Sequence, residues 1–451
     1  MESVGDMALV ATKLTAPTLP GQLVQRPRLE DALDRAVQDP TIRVVLVSAP
    51  AGSGKSTLVA GWSMARTDGA WLQTDPADRD AARFWAHVVA ALERVAPGIV
   101  ETLRPHIAPS AGDPGPLIDR LVNILAHSSP VTLVIDDYHL VSNPAIDDAV
   151  ERLIELAPDT LTLVLLTRLD PSIRLSRLRV TGRLLEVRAA DLRFLEDEAA
   201  GLLDPHSGSV TTSATSTPPA TDEQVRVLCA RTEGWAAGLV LARMSLAAAG
   251  DQDAFVEAFR GDDRLVVDYL TDEFLAQTDA DDRRRLIATS VLDEMSGPLV
   301  DAVCDTSDGI SWLEELAARN QLVVGLGRSS EWYRYHHLLR DVLRMKAEAS
   351  NTVDDLHRRA GAWHREHGDP DRAAEHLLEA GDLDAAADVI ADHSMDLLNV
   401  GQVETVSGYL QRLGSAVSGH LRCALLVGWI HAVQGRTDDA ERSLRQVRQG
   451  A

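Results

Sequence analysis

The sequence predicts an α/β domain on a parallel five-stranded sheet of order 5-1-4-3-2, followed by helical domains, one of which carries a β-hairpin. Three observations predict it. Short apolar runs at 44–48, 70–73, 131–136, 161–167 and 184–188 alternate with longer segments of helical character, the pattern of strands joined by crossover helices. A loop of small residues, APAGSGKST at 49–57, follows the first run directly. Beyond residue 221 the apolar period becomes helical and is interrupted once, near 321–336.

Between the strands, DRDAARFWAHVVAALERV sets Phe84, Val88, Leu92 and Val95 near helical spacing, and residues 145–158 behave alike, so both are expected to cover the sheet. Residues 205–221 are rich in Ser, Thr and Pro with no apolar period, the composition of a linker or surface loop. The following helix has Thr221 or Asp222 available as its cap. Two β-like runs around a Gly and Ser turn, then LLRDVLRMKAE, predict a winged-helix domain. From residue 352 everything reads as helix. A glycine stands five residues before a small apolar residue at Gly368 and Ala373, Gly381 and Ala386, Gly401 and Val406, and Gly435 and Ala440. The interval from Gly401 to Gly435 is 34 residues, one tetratricopeptide unit, whereas the two preceding intervals are 13 and 20. The expected boundaries are therefore 12–204 for the α/β domain, 205–221 for the linker, 222–285 for a helical domain, 286–350 for the winged helix and 351–451 for the repeats. An array that ends so soon after it begins is expected to be truncated.

With 451 residues the chain has room for about three domains. Its 45% hydrophobic and 25% charged residues are those of a globular protein without a bilayer-spanning run. The N-terminus has neither a basic region nor an apolar region ahead of a cleavage site, which makes the cytoplasm the expected location. A formal charge of −24 argues against nonspecific binding of nucleic acid or anionic lipid. Residues 251–310 alone hold sixteen carboxylates against five arginines, read as a solvated helical surface. Cys229, Cys304 and Cys423 lie far apart, match no metal-ligand spacing and read as core residues. Lysine occurs only at positions 13, 55 and 346, so a lysine inside the glycine-rich loop stands out.

That loop carries the chemistry. Residues 49–56 fit the phosphate-loop pattern with Ala49 in place of the commoner first Gly. Gly52, Ser53 and Gly54 let backbone N–H groups curl around phosphates, Lys55 reaches the β- and γ-phosphates of ATP, and Ser56 ligates Mg2+. Thr57 completes the nucleotide-binding set at the start of the helix, whose positive end faces the same anion. VTLVIDDYH at 131–139 ends a strand in two carboxylates, which puts Asp136 on the metal and Asp137 beside the attacking water. The strand LTLVLLTR should lie between these two, with Arg168 beside the γ-phosphate. His364, His367 and His376 lie close in sequence, but no Cys or carboxylate completes a metal set, and no nucleophile triad is legible.

VIDDYHLV, RTEGWAAGLVLA, TSVLDEMSGPLVDAV, EWYRYHHLLRDVLR and LHRRAGAWHREHGDPDRAAEHLLEAG, in this order after the loop, resemble the large MalT-like regulators of the LuxR family, in the STAND class of P-loop NTPases. The resemblance covers about residues 12–451. It implies a nucleotide-binding domain, a helical lid over 222–285, a winged helix and a TPR-like superhelix that senses an inducer, with ADP at rest and ATP in a form that self-associates. It places Arg26 at the adenine end and His336 near the phosphates. It also implies slow ATP hydrolysis that resets a switch, and a DNA-binding helix-turn-helix that these residues lack. Two other readings stand beside it: a partner-binding adaptor, and an enzyme that transfers the γ-phosphate to a small molecule.

Overall fold

The computed structural model describes residues 3–4, 7–21, 23–107, 113–204, 219–319, 322–326, 331–350 and 352–450. Most of the 205–221 linker and the Gly and Ser turn of the hairpin lie outside them. The chain divides into two compact units, Met1–Tyr269 with Leu316–Leu322, and Leu270–Glu315 with Val323–Ala451.

The first unit is built on β1 (Val44–Ser48), β2 (Gly69–Gln73), β3 (Val131–Asp136), β4 (Leu161–Thr167) and β5 (Leu184–Arg188), all parallel, in the spatial order β2-β3-β4-β1-β5. Read from the other edge, this is the expected 5-1-4-3-2. The strands look uniformly apolar because each face meets its own core. Val44 and Leu46 pack into one buried cluster with Leu133, Ile135, Leu163 and Leu165. Val45 and Val47 point the other way, into a second cluster with Val134, Val164 and Leu166. The first face is covered by α3 (Ala81–Leu92), α4 (Ile99–Ile107), α5 (Gly115–Leu125), α6 (Pro144–Leu156) and α7 (Leu175–Val180), and the second by α1 (Pro27–Gln38) and α2 (Lys55–Ser63). α3 carries ten buried residues of twelve, including Phe84 and Trp85, whose rings meet edge to face at 5.2 Å. Pairing of Ser48 with Thr167 and of Gln73 with Asp136 aligns the strand C-termini along one edge. That edge is where open α/β sheets bind ligands.

α8 (Glu196–Leu203) leads toward α9 (Asp222–Arg231), α10 (Ala236–Ala248), α11 (Gln252–Ala258) and α12 (Arg264–Glu273). Of the two expected caps for α9, Thr221 is the one used: its hydroxyl accepts from Gln224 N, while the Gln224 side chain accepts from Thr221 N.

In the second unit, α13 (Ala280–Thr289), α14 (Gly297–Cys304) and most of α15 (Gly309–Ala318) precede the hairpin β6 (Val323–Leu326) and β7 (Trp332–Tyr335), and α16 (His337–Glu348) follows. Met295 joins the wing by exchanging two backbone hydrogen bonds with Tyr333 at 2.7 and 2.8 Å. The buried Tyr335 hydroxyl meets Thr289 at 2.6 Å. Helices α17 (Val353–Glu366), α18 (Pro370–Glu379), α19 (Leu383–Asn399), α20 (Val403–Leu413), α21 (Ala416–Gly419), α22 (Leu421–Val433) and α23 (Thr437–Gly450) form the array. Gly368, Gly381, Gly401 and Gly435 each take a left-handed φ, between 67° and 84°, and end a helix. The amide that follows each of them closes the same turn, for example Asp382 N to Leu377 O at 3.0 Å. Five residues after these glycines, Ala373, Ala386, Val406 and Ala440 are buried. Among the described residues no helix is long and apolar enough to cross a membrane.

Candidate nucleotide site

β1 delivers the loop at 49–54 to the C-terminal edge of the sheet, and α2 starts at Lys55. Gly52 and Gly54 stand at φ 71° and 81°, which a side chain would strain, so both are required by the backbone path. Lys55 is 7% exposed, and its Nζ donates to the carbonyl oxygens of Ala49 at 2.7 Å and Pro50 at 2.9 Å. Burial, helped by the charge of Arg168, lowers its pKa to about 8 against the opposing pull of Asp137 and Asp136. Ser56 Oγ donates to Asp136 Oδ1 at 2.9 Å, which joins the loop to the end of β3.

Asp136 is 1% exposed, and its carboxyl is pushed up to about 6 by burial and then by Asp137, with Ser56 and the Asp137 amide pulling the other way. Asp137 is in the left-handed region, φ 57°, a conformation that Asp tolerates better than most side chains. Thr74, just past β2, holds this corner: its hydroxyl lies 2.9 Å from the carbonyl oxygens of both Asp136 and Asp137. One turn on, Tyr138 is fully buried and donates to Asp147 Oδ1 at 2.6 Å. His139 is held beside the site with a buried Nδ1 that has no hydrogen-bond partner among the described residues. Burial lowers its pKa to about 4, and Arg168 and Lys55 push it the same way. The loop, Asp136, Asp137 and Arg168 thus share one edge of the sheet, as the strand order requires.

The helical segment 222–269 closes on this loop through hydrogen bonds to its carbonyl oxygens. Trp235 Nε1 donates to Ala51 O at 3.1 Å, and Ala237 N donates to Gly52 O at 2.9 Å. A Cβ on Gly52 would stand 2.6 Å from Ala237 Cβ and 2.7 Å from the Tyr269 hydroxyl, so the close approach itself demands glycine. Trp235 and Tyr269 meet edge to face at 5.6 Å. Gly234, at φ 68°, supplies the turn into α10, and its carbonyl accepts from Phe194 N at 2.8 Å.

Arg26 is 3% exposed and committed to protein partners: Glu198 at 3.0 Å, the carbonyl of Arg193 at 2.8 Å, and the Phe194 ring at 4.3 Å. It clasps the start of α1 to the segment that leads into α8. His336 belongs to the second unit, buried at the N-cap of α16. Sequence reasoning missed Thr74, His139 and the role of Trp235. The signal for His139 was its place in DDYH, directly after the paired carboxylates.

Two family models match the chain, an AAA ATPase domain over residues 18–170 and the MalT winged helix domain over 271–354. The MalT transcriptional regulator of Cronobacter sakazakii is 30% identical over 458 residues, covering 98% of this chain and 48% of that protein. Over nearly its whole length the chain is similar to the MalT-like P-loop NTPases. The MalT regulator of Klebsiella pneumoniae is 31% identical over 454 residues, with the same coverage. The serine/threonine-protein kinase PknK of Mycobacterium tuberculosis is 31% identical over 447 residues, or 97% of this chain and 39% of that one. This MalT-like chain therefore spans less than half the length of these relatives. A Walker-type ATPase of Pyrococcus abyssi, at 13% identity and TM-score 0.48, covers 73% of this chain and 99% of its own.

The residues present fit a magnesium nucleotide. Gly52 leaves no room for a side chain and Gly54 holds a left-handed φ, Lys55 is bent onto the loop carbonyls, and a hydroxyl and a carboxylate are already 2.9 Å apart.

Proposed function

We propose that this chain is the nucleotide-controlled core of a MalT-type transcriptional regulator, a switch whose state is set by bound ADP or ATP and reset by slow hydrolysis. Lys55 and the amides of 52–57 hold the β- and γ-phosphates, and Ser56 and Asp136 hold Mg2+, which supplies charge neutralisation between phosphates when bound. Asp137 orients a water, and Arg168 meets the γ-phosphate. Arg26, by clasping α1 to the segment at 193–198, shapes the wall at the adenine end. An inducer acts through the helical array, the ATP form self-associates in the cytoplasm, and, with a net charge of −24, DNA contact is assigned to a segment outside these residues.

The observation that carries this reading is the pair of hydrogen bonds from Trp235 and Ala237 to the loop carbonyls. An enzyme that turns over a small acceptor needs an open face beside its phosphates, whereas a switch needs a loop whose shape is tied to another element. The test is twofold. Lys55→Ala should abolish ATP and ADP binding with the fold intact, and retained affinity sinks the site. Mass spectrometry of nucleotide released from freshly purified protein should find ADP, and brisk turnover dependent on a small acceptor would favour the kinase reading that the name of PknK keeps open. A protein that binds nucleotide and partners but never supports transcription in its full-length form would be the adaptor.

A further inference from the structure

Within the second unit a cavity of about 450 Å³ lies among α16, α17, α18, α20 and the segment around Asp293. None of its lining residues belongs to the phosphate loop. Its inner wall is imidazole. His357 Nδ1 and His376 Nδ1 are 2.8 Å apart, so one ring donates and the other accepts. His364 stacks on His376 with ring centroids 5.5 Å apart and planes 10° from parallel. Its side chain is 2% exposed, and its Nδ1 has no hydrogen-bond partner among the described residues, Asp369 standing off at 3.7 Å. Burial depresses the pKa of all three rings, His376 furthest, to about 3, so the wall is neutral near pH 7.

The outer wall is charged, and the charges do not balance. Arg372 pairs with Glu294 at 2.6 Å, Arg412 with Glu379 at 2.7 Å, and Arg344 with Asp293 at 3.0 Å. Glu348 and Glu375 also line the cavity, are exposed, and form no ion pair among the described residues. Five carboxylates against three guanidiniums leave a surplus of two negative charges around neutral π-faces and a buried nitrogen. That surplus selects a cation. Among the described residues no group of three or more His, Cys, Asp or Glu side chains converges as a metal shell would. A cavity of this volume is in the range of small organic ligands rather than of a bare ion.

We propose that this cavity binds a small organic amine cation, with ammonium groups on Glu348 and Glu375 and the carbon frame against the imidazoles of His357, His364 and His376. Neutral aromatic faces and rim carboxylates are the two features that recognise such cations. Because α16 belongs to the winged helix and α17, α18 and α20 to the array, the bound amine touches both at once.

The test is calorimetric titration of the whole chain with putrescine and with spermidine at about 0.15 M salt, where exposed charges are screened. One saturable site is expected for at least one amine. Glu375→Gln and Glu348→Gln, both on exposed positions, should each weaken it by about tenfold, while Glu404→Gln on the outer face of α20 leaves it unchanged. His364→Ala should weaken it further if circular dichroism shows the fold retained. Absence of saturable binding, equal weakening by Glu404→Gln, or saturable binding of zinc or inorganic phosphate without the amines would each overturn the proposal.

Discussion

Trp235 gives its indole N–H to the carbonyl oxygen of Ala51 at 3.1 Å, and its ring lies 3.1 Å from where a Cβ on Gly52 would sit. A residue of the helical segment therefore reads the shape of the phosphate loop directly. The loop cannot rearrange around a nucleotide without changing this contact. Trp235→Phe keeps an aromatic ring and removes the donor, which should cost about 1 kcal/mol of stability. Gly52→Ala does worse: its methyl would meet Ala237 and Tyr269 in a backbone conformation that already disfavours it. The expected cost is about 2–3 kcal/mol, from overpacking. Both variants should release bound nucleotide faster than the parent, measured by displacement of a fluorescent ADP analogue, with Gly52→Ala the faster. Unchanged release from both would mean that the contact is only structural.

Ser56 tests the metal assignment separately from the nucleotide assignment. Ser56→Ala removes the donor to Asp136 Oδ1 but leaves the loop glycines, Lys55 and the Asp137 amide in place. Binding of ATP in EDTA should stay close to that of the parent. The tightening produced by magnesium should fall by about tenfold. If magnesium tightens binding equally in both proteins, Ser56 is not its ligand.

Much of this site was legible before the structure. Strand positions follow from short apolar runs bounded by polar residues and separated by helical segments, and the closeness of the loop to Asp136 follows from the two carboxylates that end such a run. The fit of helix 222–231 to its Thr221 cap was readable for the same reason: caps are local chemistry. What stayed hidden was long-range. Nothing near Thr74 marks it as the residue that pins Asp136 and Asp137, since its partners lie 62 and 63 positions away. Trp235 was recognisable as part of RTEGWAAGL, yet its partner is 184 residues back. His364, His367 and His376 were set aside for want of metal ligands. Their packing joins His364 and His376 to His357, which the spacing did not bring forward, and it stacks His367 on Trp363 instead.

A buried ionic cluster around Asp78, just past β2, makes a prediction about pH. Asp78 is 0% exposed and receives Lys13 Nζ at 2.6 Å, Arg83 Nε at 3.0 Å and His87 Nδ1 at 3.2 Å. Burial pushes its carboxyl up, but hydrogen bonds from His87, Lys13 and the Asp75 amide outweigh it and hold the group well below the ordinary carboxylate range. The sign follows from that depression. Asp78 stabilises the fold fully above the unfolded carboxylate pKa of about 4, and the contribution is lost as pH falls through the lower folded value. Asp78→Asn leaves Asp75, at 2.7 Å, as the carboxylate partner of the nearly buried Lys13, and loss of the charge-assisted hydrogen bonds to Asp78 should cost about 2 kcal/mol at pH 7. Urea unfolding of both proteins should show a gap that is flat from about pH 5 to 7 and narrows below about pH 4. A gap that widens on acidification would contradict the assignment.

Three glycines in the helical array separate backbone strain from packing. Gly381 takes φ 67° with open space around its missing Cβ, so Gly381→Ala should cost about 1 kcal/mol from conformation alone. Gly361, inside α17, has ordinary helical geometry, but a Cβ there would stand 2.8 Å from Leu377 Cγ on α18. Gly361→Ala should therefore cost about 1–3 kcal/mol by forcing the two helices apart. Gly408 lies within α20 with nothing inside 4 Å of its missing Cβ, and there the sign reverses. Gly408→Ala should stabilise by about 0.5–1 kcal/mol, because alanine loses less backbone entropy on entering a helix. Thermal unfolding followed by circular dichroism should rank the proteins Gly408→Ala above the parent and both other variants below it. If Gly408→Ala also destabilised the protein, α20 would have to be packed on the face that the structure leaves open, and the calorimetric control at Glu404 on the same helix would need to be moved.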